Sequence, residues 1–472
     1  MRFKQVYDYV WSQIERGERK AGEKLPSIRQ VAAELGVNRL TVFKAYQHLK
    51  DDGKVDVKEK SGYFVASVNQ PRLDSAFPDP ISAPSAVSWK NKLSDIQRIP
   101  AVYQFSQAII DPNLLPNLFL SDYVKQVFDI YPKLMGTYAS AQGDEELREH
   151  LSRHMVRKHK FQLTASELLI TSGAQQAIDL IARTFIRPMD AILVERPTYS
   201  AALDVFRAYG ARFFAVDITP EGYDLEHVEQ VMKQHRPRFF YMNPTFHNPT
   251  GYTVPPSQRK QLVELAERYR CLLIEDDAFN DMYYDQPPPP PLFSYDTEGW
   301  VVYIRSFCKY VAPGLRICAV MGRKPVIAPL VSAKSLADNG TPLVNQKIFL
   351  HYFESDRMQQ HLKKLRIALQ IRRDIMEEEL RRAPGWEWLS LKGGLYLWIK
   401  LPDGFPVVAY FEESLRQNVS FIPGTICDPF DAIEDRIRLC FSLVNESQMR
   451  EGVRRLVDIA NRMQLESNLT NR

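Results

Sequence analysis

A chain of 472 residues is too long for one compact hydrophobic core, so its length predicts at least two domains. It has no apolar run of about 18 residues and no charged start followed by an apolar segment, so neither a membrane span nor a secretory signal is expected. The five cysteines are scattered without C-x-x-C spacing, which disfavours a disulfide framework and a zinc site. We expect a cytoplasmic protein with reduced thiols and no metal.

The formal net charge of +4 is unevenly distributed along the chain. Residues 1–66 hold 13 Lys/Arg and 9 Asp/Glu, whereas the two classes are equal in number in the remainder. Neutralisation of phosphates supplies most of the non-specific affinity of proteins for nucleic acids. The basic excess therefore makes the first 66 residues the part suited to a polyanionic partner.

The first 66 residues predict three helices followed by a two-stranded hairpin. Apolar residues at helical spacing between Phe3 and Ile14 indicate the first helix, and Ser27 with Gln30 forms a capping box that begins the second. Asn38 is placed to cap a third helix. Alternating residues on either side of a turn, within 55–65, indicate the hairpin. This order is that of a winged helix-turn-helix.

The second helix of such a motif enters the major groove, with its first residues nearest the base edges. Arg39 is suited to a guanine edge and Thr41 to a base or a phosphate. The residues expected to contact DNA are Ser27, Arg29, Asn38, Arg39, Thr41, Lys44, Lys60 and Gly62. The alternative is a solvated charged face on a small helical module.

The rest of the chain predicts a linker and a large α/β domain. Residues 67–100 are rich in Pro, Ser and Asp without a clear period, which is typical of a linker. Within residues 101–472, apolar strands such as 239–242 and 301–304 alternate with amphipathic helices such as 258–269. This alternation indicates a mostly parallel sheet.

Lys309 is the candidate for covalent attachment of a cofactor. It follows the apolar strand 301–304, with Ser306 three residues before it and Arg316 seven after it. An amine in a buried site at a strand end loses solvation, which lowers its pKa and favours a Schiff base with an aldehyde. The hydroxyl and the guanidinium are suited to a phosphate dianion. A lysine without these neighbours would be interpreted as a solvated surface charge.

Four more segments fit one molecule of pyridoxal 5′-phosphate (PLP). The segment with Gly173, Ala174 and Gln175 opens a helix and would cradle a phosphate. Asn248 and Asp276 follow strands, and a carboxylate in the second position can keep a pyridine nitrogen protonated.

Tyr199 is placed to stack on the cofactor ring. Taken singly, these residues are equally compatible with a turn, a helix cap and a core tyrosine. Together, each at a strand end, they predict one crevice at the edge of the sheet.

The N-terminal motifs resemble the GntR family of bacterial winged-helix regulators. The resemblance rests on Leu25 to Arg29, on Leu35 to Arg39 and on Gly62 to Val65, and it covers residues 1–66. Asn38 stands where that family usually has Ser, and Phe43 where several members have Arg. The operator sequence is therefore not transferable.

The remaining motifs resemble class I, fold-type I aminotransferases from about residue 100 to 460. The resemblance implies an α/β PLP-binding domain with a smaller C-terminal α+β subdomain, in which Lys309 carries PLP as a Schiff base. It further implies that Tyr138 reaches the phosphate of a neighbouring subunit in a homodimer, and that Arg438 clamps an α-carboxylate. For Arg438 the alternative is a surface arginine. Phe279 and Cys308 depart from the family, which usually has Tyr and Ser there.

The combination of both parts resembles the MocR, or GabR-type, subfamily of transcription regulators. In that subfamily the large domain senses PLP, or PLP with an amino compound, and changes how the dimer holds operator DNA. One rival hypothesis is an active amino-acid aminotransferase with an appended DNA-binding domain. Another is a DNA-binding protein whose large domain is only a dimerisation scaffold without cofactor.

Overall fold

The computed structural model describes residues 2–16, 18–20, 22–52, 54–58, 62–66 and 92–470. The chain forms two compact units, Met1–Val87 and Ser88–Arg472. In the described ranges, no helix combines the length and the apolar composition that crossing a lipid bilayer requires. All five cysteines are buried, and none is in a disulfide.

The first unit has the predicted three helices and hairpin. Its elements are α1 (Arg2–Glu15), α2 (Ile28–Glu34), α3 (Arg39–Asp51), β1 (Val55–Lys58) and β2 (Gly62–Val65), the two strands being antiparallel. Both predicted caps are confirmed, because Ser27 and Gln30 form a capping box and Asn38 Oδ1 accepts a hydrogen bond from Leu40 N at 2.9 Å. The inner face of α3 is fully buried, and it holds Val42, Ala45, Tyr46 and Leu49.

The segment 67–100 differs at its end from the predicted linker. Residues 67–91 lie outside the described residues, but helix α4 (Lys92–Arg98) belongs to the second unit. Leu93 is buried in a cluster with Ala201 and Trp398, and Lys92 pairs with Asp431 at 2.8 Å. A short amphipathic helix within a Pro-rich and Ser-rich segment gives too weak a periodic pattern to be detected.

The second unit is built on an eight-stranded sheet. In chain order the strands of this unit begin with β3 (Tyr103–Gln104), β4 (Leu168–Thr171), β5 (Ala191–Arg196), β6 (Arg212–Thr219), β7 (Gly222–Tyr223), β8 (Phe239–Met242), β9 (Leu272–Asp277), β10 (Val301–Ser306) and β11 (Cys318–Met321). The order across the large sheet is β4-β11-β10-β9-β8-β5-β6-β7. Strands β5, β6, β8, β9 and β10 are parallel, as predicted, while β11 runs antiparallel to both neighbours.

Helices cover the sheet because each presents one apolar face to it. They are α5 (Asn117–Ile130), α6 (Glu145–His159), α7 (Ala174–Phe185), α8 (Ser200–Ala208), α9 (Leu225–His235), α10 (Pro256–Tyr269), α11 (Lys324–Ala337), α12 (Leu343–Phe353) and α13 (Asp356–Leu380). In α7, for example, Ala177, Ile178, Ile181 and Ala182 are buried at helical spacing.

The C-terminal part forms the smaller α+β subdomain. It contains β12 (Tyr396–Lys400), α14 (Val407–Arg416), β13 (Val419–Ser420), β14 (Ile422–Pro423), β15 (Arg436–Cys440) and α15 (Glu446–Thr470). Strands β12, β15 and β14 make an antiparallel sheet, while β13 pairs with β3 from the start of this unit.

Candidate functional site

The register of the large sheet brings the predicted polar residues to one edge. Ser306, the last residue of β10, pairs with Cys318, which in turn pairs with Thr171 at the end of β4. On the other side of β10, Asp276 pairs with Ile304. Neighbouring strands lie about 4.8 Å apart, so the ends of β4, β9 and β10 form one short polar edge.

At the end of the crevice where a phosphate is predicted to bind, Arg316 closely approaches Gly173. Gly173 precedes α7 with φ +97°, and a Cβ built on it would clash with Arg316 Nη2. The same nitrogen donates to Ser172 O at 3.0 Å. A positive helix end and a guanidinium therefore point at the same place, which suits an anion. The neighbouring Ala174 and Gln175 are in the first turn of α7, and Gln175 Nε2 donates to Ala201 O at 3.3 Å.

Lys309 lies in a turn after β10, with its amine inside the crevice. Its Nζ donates to Ala108 O at 3.0 Å and lies 5.6 Å from the centre of the Phe279 ring. Burial lowers the pKa of Lys309, and the Arg438 guanidinium lowers it further, against the opposite effect of Cys440. The lowered pKa that the sequence predicted is thus present, and it favours the neutral, nucleophilic amine.

Asp276 is buried with one oxygen bonded and the other without a partner. Tyr241 Oη donates to Oδ2 at 2.7 Å, whereas Oδ1 has no hydrogen-bond partner among the described residues. Burial raises the pKa of Asp276 to about 6, although the Tyr241 hydrogen bond opposes this. Such a carboxylate is suited to pair with a protonated ring nitrogen, because a cation there would supply the missing partner.

Arg438 and Asn248 are 190 residues apart in sequence but are bonded to each other. Arg438 Nη1 donates to Asn248 Oδ1 at 2.9 Å and Nη2 donates to Ser106 O at 2.8 Å. Arg438 is only 1% exposed, and its Nε has no partner among the described residues. The alternative of a surface arginine is therefore wrong. A buried guanidinium with a vacant donor is suited to a carboxylate.

Three aromatic residues close the crevice. Tyr199 precedes α8, and burial raises its pKa to about 12. Phe279 is buried and meets the Tyr396 ring edge-on, with the ring centres 5.5 Å apart. The Arg438 guanidinium lies 4.7 Å from the centre of the Tyr396 ring. The Tyr396 hydroxyl is buried and has no partner among the described residues.

Sequence reasoning missed Tyr241 and Tyr396 as parts of this site. Both are in buried strands, β8 and β12, where a tyrosine is indistinguishable from core by its pattern. The one available signal was the hydroxyl itself, because a tyrosine in a fully buried strand needs a polar partner. That signal identifies the residue type but not the partner.

In the single chain, Tyr138 lies on the surface and not among the contacts of the crevice. It follows a 3-10 turn, Leu134–Gly136, and is 85% exposed. Exposed apolar side chains lie on the preceding helix α5 and on this turn, and they are Phe119, Val124, Phe128, Ile130 and Met135. An apolar surface of this kind is typical of a protein–protein interface.

In the first unit, most of the residues expected to contact DNA are on the surface. Arg29, Arg39 and Lys44 are exposed, as are Ser27 and Asn38, whereas Thr41 is half-buried. Gly62 begins β2 with φ +111°, and Lys60 lies outside the described residues. Leu40 and Phe43 are also exposed on α3, by 59% and 43%. Apolar side chains at such positions can contact thymine methyl groups.

Comparisons with known proteins match both units. Residues 133–456 match the family model described as "Aminotransferase class I and II", and residues 3–65 match "Bacterial regulatory proteins, gntR family". The chain is 30% identical to the "Uncharacterized HTH-type transcriptional regulator YisV" of Bacillus subtilis, over 98% of this chain and 96% of that protein. It is 31% identical to "Aromatic-amino-acid aminotransferase 1" of Thermococcus litoralis, over 74% of this chain and 85% of that enzyme.

Among solved structures, the second unit is similar to LysN, an α-aminoadipate aminotransferase from Thermus thermophilus in complex with N-(5′-phosphopyridoxyl)-L-leucine. The TM-score is 0.74 at 28% identity, covering 80% of this chain and 96% of that one.

Proposed function

The chain belongs to the MocR type of GntR regulators, in which a winged helix is fused to a class I and II aminotransferase domain, and from this premise we propose that it regulates transcription in response to PLP or to PLP with an amino compound. Its first unit is the DNA-binding domain of the gntR family, and its cofactor is PLP.

The vacant polar atoms of the crevice fit this cofactor. Asp276 Oδ1 is buried and has no partner in the part of the chain that the structure describes. This observation carries the proposal, because an unpaired buried carboxylate oxygen is unfavourable unless a ligand completes it. The Gly173 backbone leaves no room for a Cβ beside Arg316, so this junction is shaped for a close backbone approach to a phosphate. The crevice thus offers Asp276 to the ring nitrogen and the junction of Gly173 and Arg316 to the phosphate.

Each residue has a role under this proposal. Lys309 would hold PLP covalently, and the lowering of its pKa by burial favours the neutral amine that forms a Schiff base. Asp276 would hold the proton at the ring nitrogen, with Tyr241 fixing the carboxylate. Arg438 would bind the carboxylate of an amino compound, while its bond to Asn248 Oδ1 orients that amide.

The remaining predicted residues complete the cofactor site. Ser306 and Arg316, with Gly173, Ala174 and Gln175, would bind the phosphate, and Tyr199 would pack on the ring. When bound, PLP supplies an electron sink for the α-carbon of an amine.

We place Tyr138 at the phosphate of a second subunit, in a homodimer with shared sites. The exposed apolar side chains on α5 and on the following turn support such an interface, because burying them removes apolar surface from water. An arrangement in which each site needs both chains makes cofactor binding depend on the dimer. A ligand can then change the DNA affinity only by binding two dimer arrangements unequally.

The test is a mobility shift with operator DNA in the presence and absence of PLP. Wild type is compared with Lys309→Ala and with Lys364→Ala, which removes an exposed lysine on α13. We expect Lys309→Ala to bind DNA as wild type does but to lose the response to PLP, and Lys364→Ala to retain both. A full PLP response in Lys309→Ala would refute covalent sensing.

A catalytic aminotransferase is the second candidate, since Lys309, Asp276 and Arg438 are all placed in one buried crevice. Turnover of an amino acid to a keto acid, with PLP converted to its amine form, would favour the enzyme. Ligand binding without turnover would favour the sensor. A protein that binds no PLP at all would leave only the dimerisation scaffold.

A further inference from the structure

A basic cleft lies at the opposite edge of the large sheet from the cofactor site. Its volume is about 950 Å³. It is formed at the amino ends of β5, β6, β8, β9 and β10 and at the C-terminal ends of α9 and α10. The cations that line it are Arg212, Lys233, Arg236, Arg238, Arg268 and Arg270, whereas Asp190 is the one carboxylate in its lining. Because Lys/Arg and Asp/Glu are equal in number after residue 66, this is a local concentration of positive charge.

Half of these cations have ion-pair or cation–π partners, and half do not. Arg238 pairs with Asp190 at 3.0 Å and Arg268 with Glu229 at 2.9 Å, while Arg212 lies over Phe214. Lys233, Arg236 and Arg270 are exposed and have no ion pair with any residue that the structure describes. These three charges remain available to an anionic partner.

Two of these cations are in an unusual backbone conformation. Arg236 ends α9 with φ +46° and Arg270 ends α10 with φ +54°. The left-handed region favours Gly or Asn at such positions, and other residues adopt it at a cost of about 1 kcal/mol. Cations are favourable near the negative end of a helix dipole. A Gly or Asn at the helix end, followed by a surface lysine, would supply this positive charge without the cost of the left-handed backbone.

The starts of four neighbouring strands lie in a row along the cleft. The amino ends of β6, β5, β8 and β9 are consecutive neighbours, so at about 4.8 Å per strand they span about 15 Å. Phosphates follow one another about every 3.4 Å of the axis along one strand of a duplex, so the same length faces about four of them.

We infer that this basic cleft is a second DNA contact, which binds the phosphate backbone without reading its sequence. The inference rests on the proposed DNA binding by residues 1–66, and it adds affinity that the winged helix alone does not supply. Lys233, Arg236 and Arg270 make the phosphate contacts.

The test is a salt titration of DNA binding by the full chain, using a labelled duplex of arbitrary sequence about 40 base pairs long. The triple variant Lys233→Gln, Arg236→Asn, Arg270→Asn removes three cations, and Asn tolerates the left-handed backbone at both helix ends. The control triple variant Lys160→Asn, Lys363→Gln, Lys392→Gln removes three exposed cations outside the cleft, of which Lys160 also ends a helix with φ +62°. Unchanged PLP binding verifies that both variants fold.

Each phosphate contact contributes about 0.9 to the slope of log K against log salt concentration. We expect the slope of the cleft variant to fall by about 2 to 3 relative to wild type, while the control keeps the slope of wild type. Equal slopes for the cleft variant and the control would overturn the inference. The three cations would then act only on their own helix ends. Failure of the proposed function would look different, because wild type itself would then not bind the duplex.

Discussion

Replacing Asp276 by Asn should make the cofactor-free protein more stable while it abolishes PLP binding. Burial raises the pKa of this carboxyl from 3.8 to about 6. At 1.36 kcal/mol per pH unit, the ionised group therefore opposes folding by about 3 kcal/mol at pH 7.5. The Asn retains an acceptor for Tyr241 but leaves a buried N–H without a partner, which costs about 1 kcal/mol. The expected net gain is about 2 kcal/mol.

The sign of this effect depends on pH. Below 3.8 the carboxyl is protonated in both states and has no effect on stability, whereas above about 6 the penalty is complete. Relative to wild type, Asp276→Asn should therefore be less stable by about 1 kcal/mol near pH 3 and more stable by about 2 kcal/mol at pH 7.5. Urea unfolding followed by tryptophan fluorescence reports this, because five of the six tryptophans lie after residue 87.

The control is Asp217→Asn, which neutralises an exposed carboxylate on β6 and should change stability by less than about 0.5 kcal/mol at either pH. Saturating PLP should stabilise wild type by about 2.7 kcal/mol at a hundredfold excess over Kd, and should leave Asp276→Asn unchanged. A stability difference between Asp276→Asn and wild type that is the same at both pH values would refute the reasoning.

Four further changes separate cofactor contacts from stability and from DNA binding. Gly173→Ala places a Cβ against Arg316 Nη2, so PLP affinity in a fluorescence titration should fall at least about tenfold, a loss of about 1.4 kcal/mol; near-normal affinity would contradict the phosphate cradle. Tyr396→Phe removes a hydroxyl without a described partner, so the cofactor-free protein should gain about 1 kcal/mol while PLP or effector affinity falls. Unchanged affinity would place this hydroxyl outside the ligand contacts. Tyr138→Ala should weaken PLP binding but alter stability by less than about 0.5 kcal/mol, since the side chain is 85% exposed. Asn38→Ala should destabilise the start of α3 by about 1 kcal/mol and weaken DNA binding, and unaltered hydrogen exchange of residues 39–45 would argue against its capping role.

The predicted strand 239–242 coincides with β8, whereas the predicted strand 301–304 was right in position but too short at its carboxyl end. The apolar patterns of β5, β9 and β10 end at 194, 274 and 304, whereas the strands continue to Arg196, Asp277 and Ser306. Charged residues interrupt an apolar pattern, yet the last residues of β9 remain in the sheet because buried partners satisfy them. Tyr303 Oη, for example, donates to Asp277 Oδ2 at 2.7 Å.

The sequence by itself determined the two units, the caps of α2 and α3, the parallel sheet and the candidates Lys309, Asp276 and Gly173. Each of these depends on residues close together in the chain, where helix periods, capping patterns and strand-end polarity are local properties. Even the lowered pKa of Lys309 followed from its place after a buried strand.

The tertiary structure alone decided the contacts between distant segments. It bonded Arg438 to Asn248 and Tyr241 to one oxygen of Asp276. It also buried the Tyr396 hydroxyl at a place where no described residue bonds to it. It also collected the cations of the basic cleft from two helices and several strand starts. No local pattern encodes these arrangements, because they follow from strand order and register, which only the packing of the whole sheet fixes.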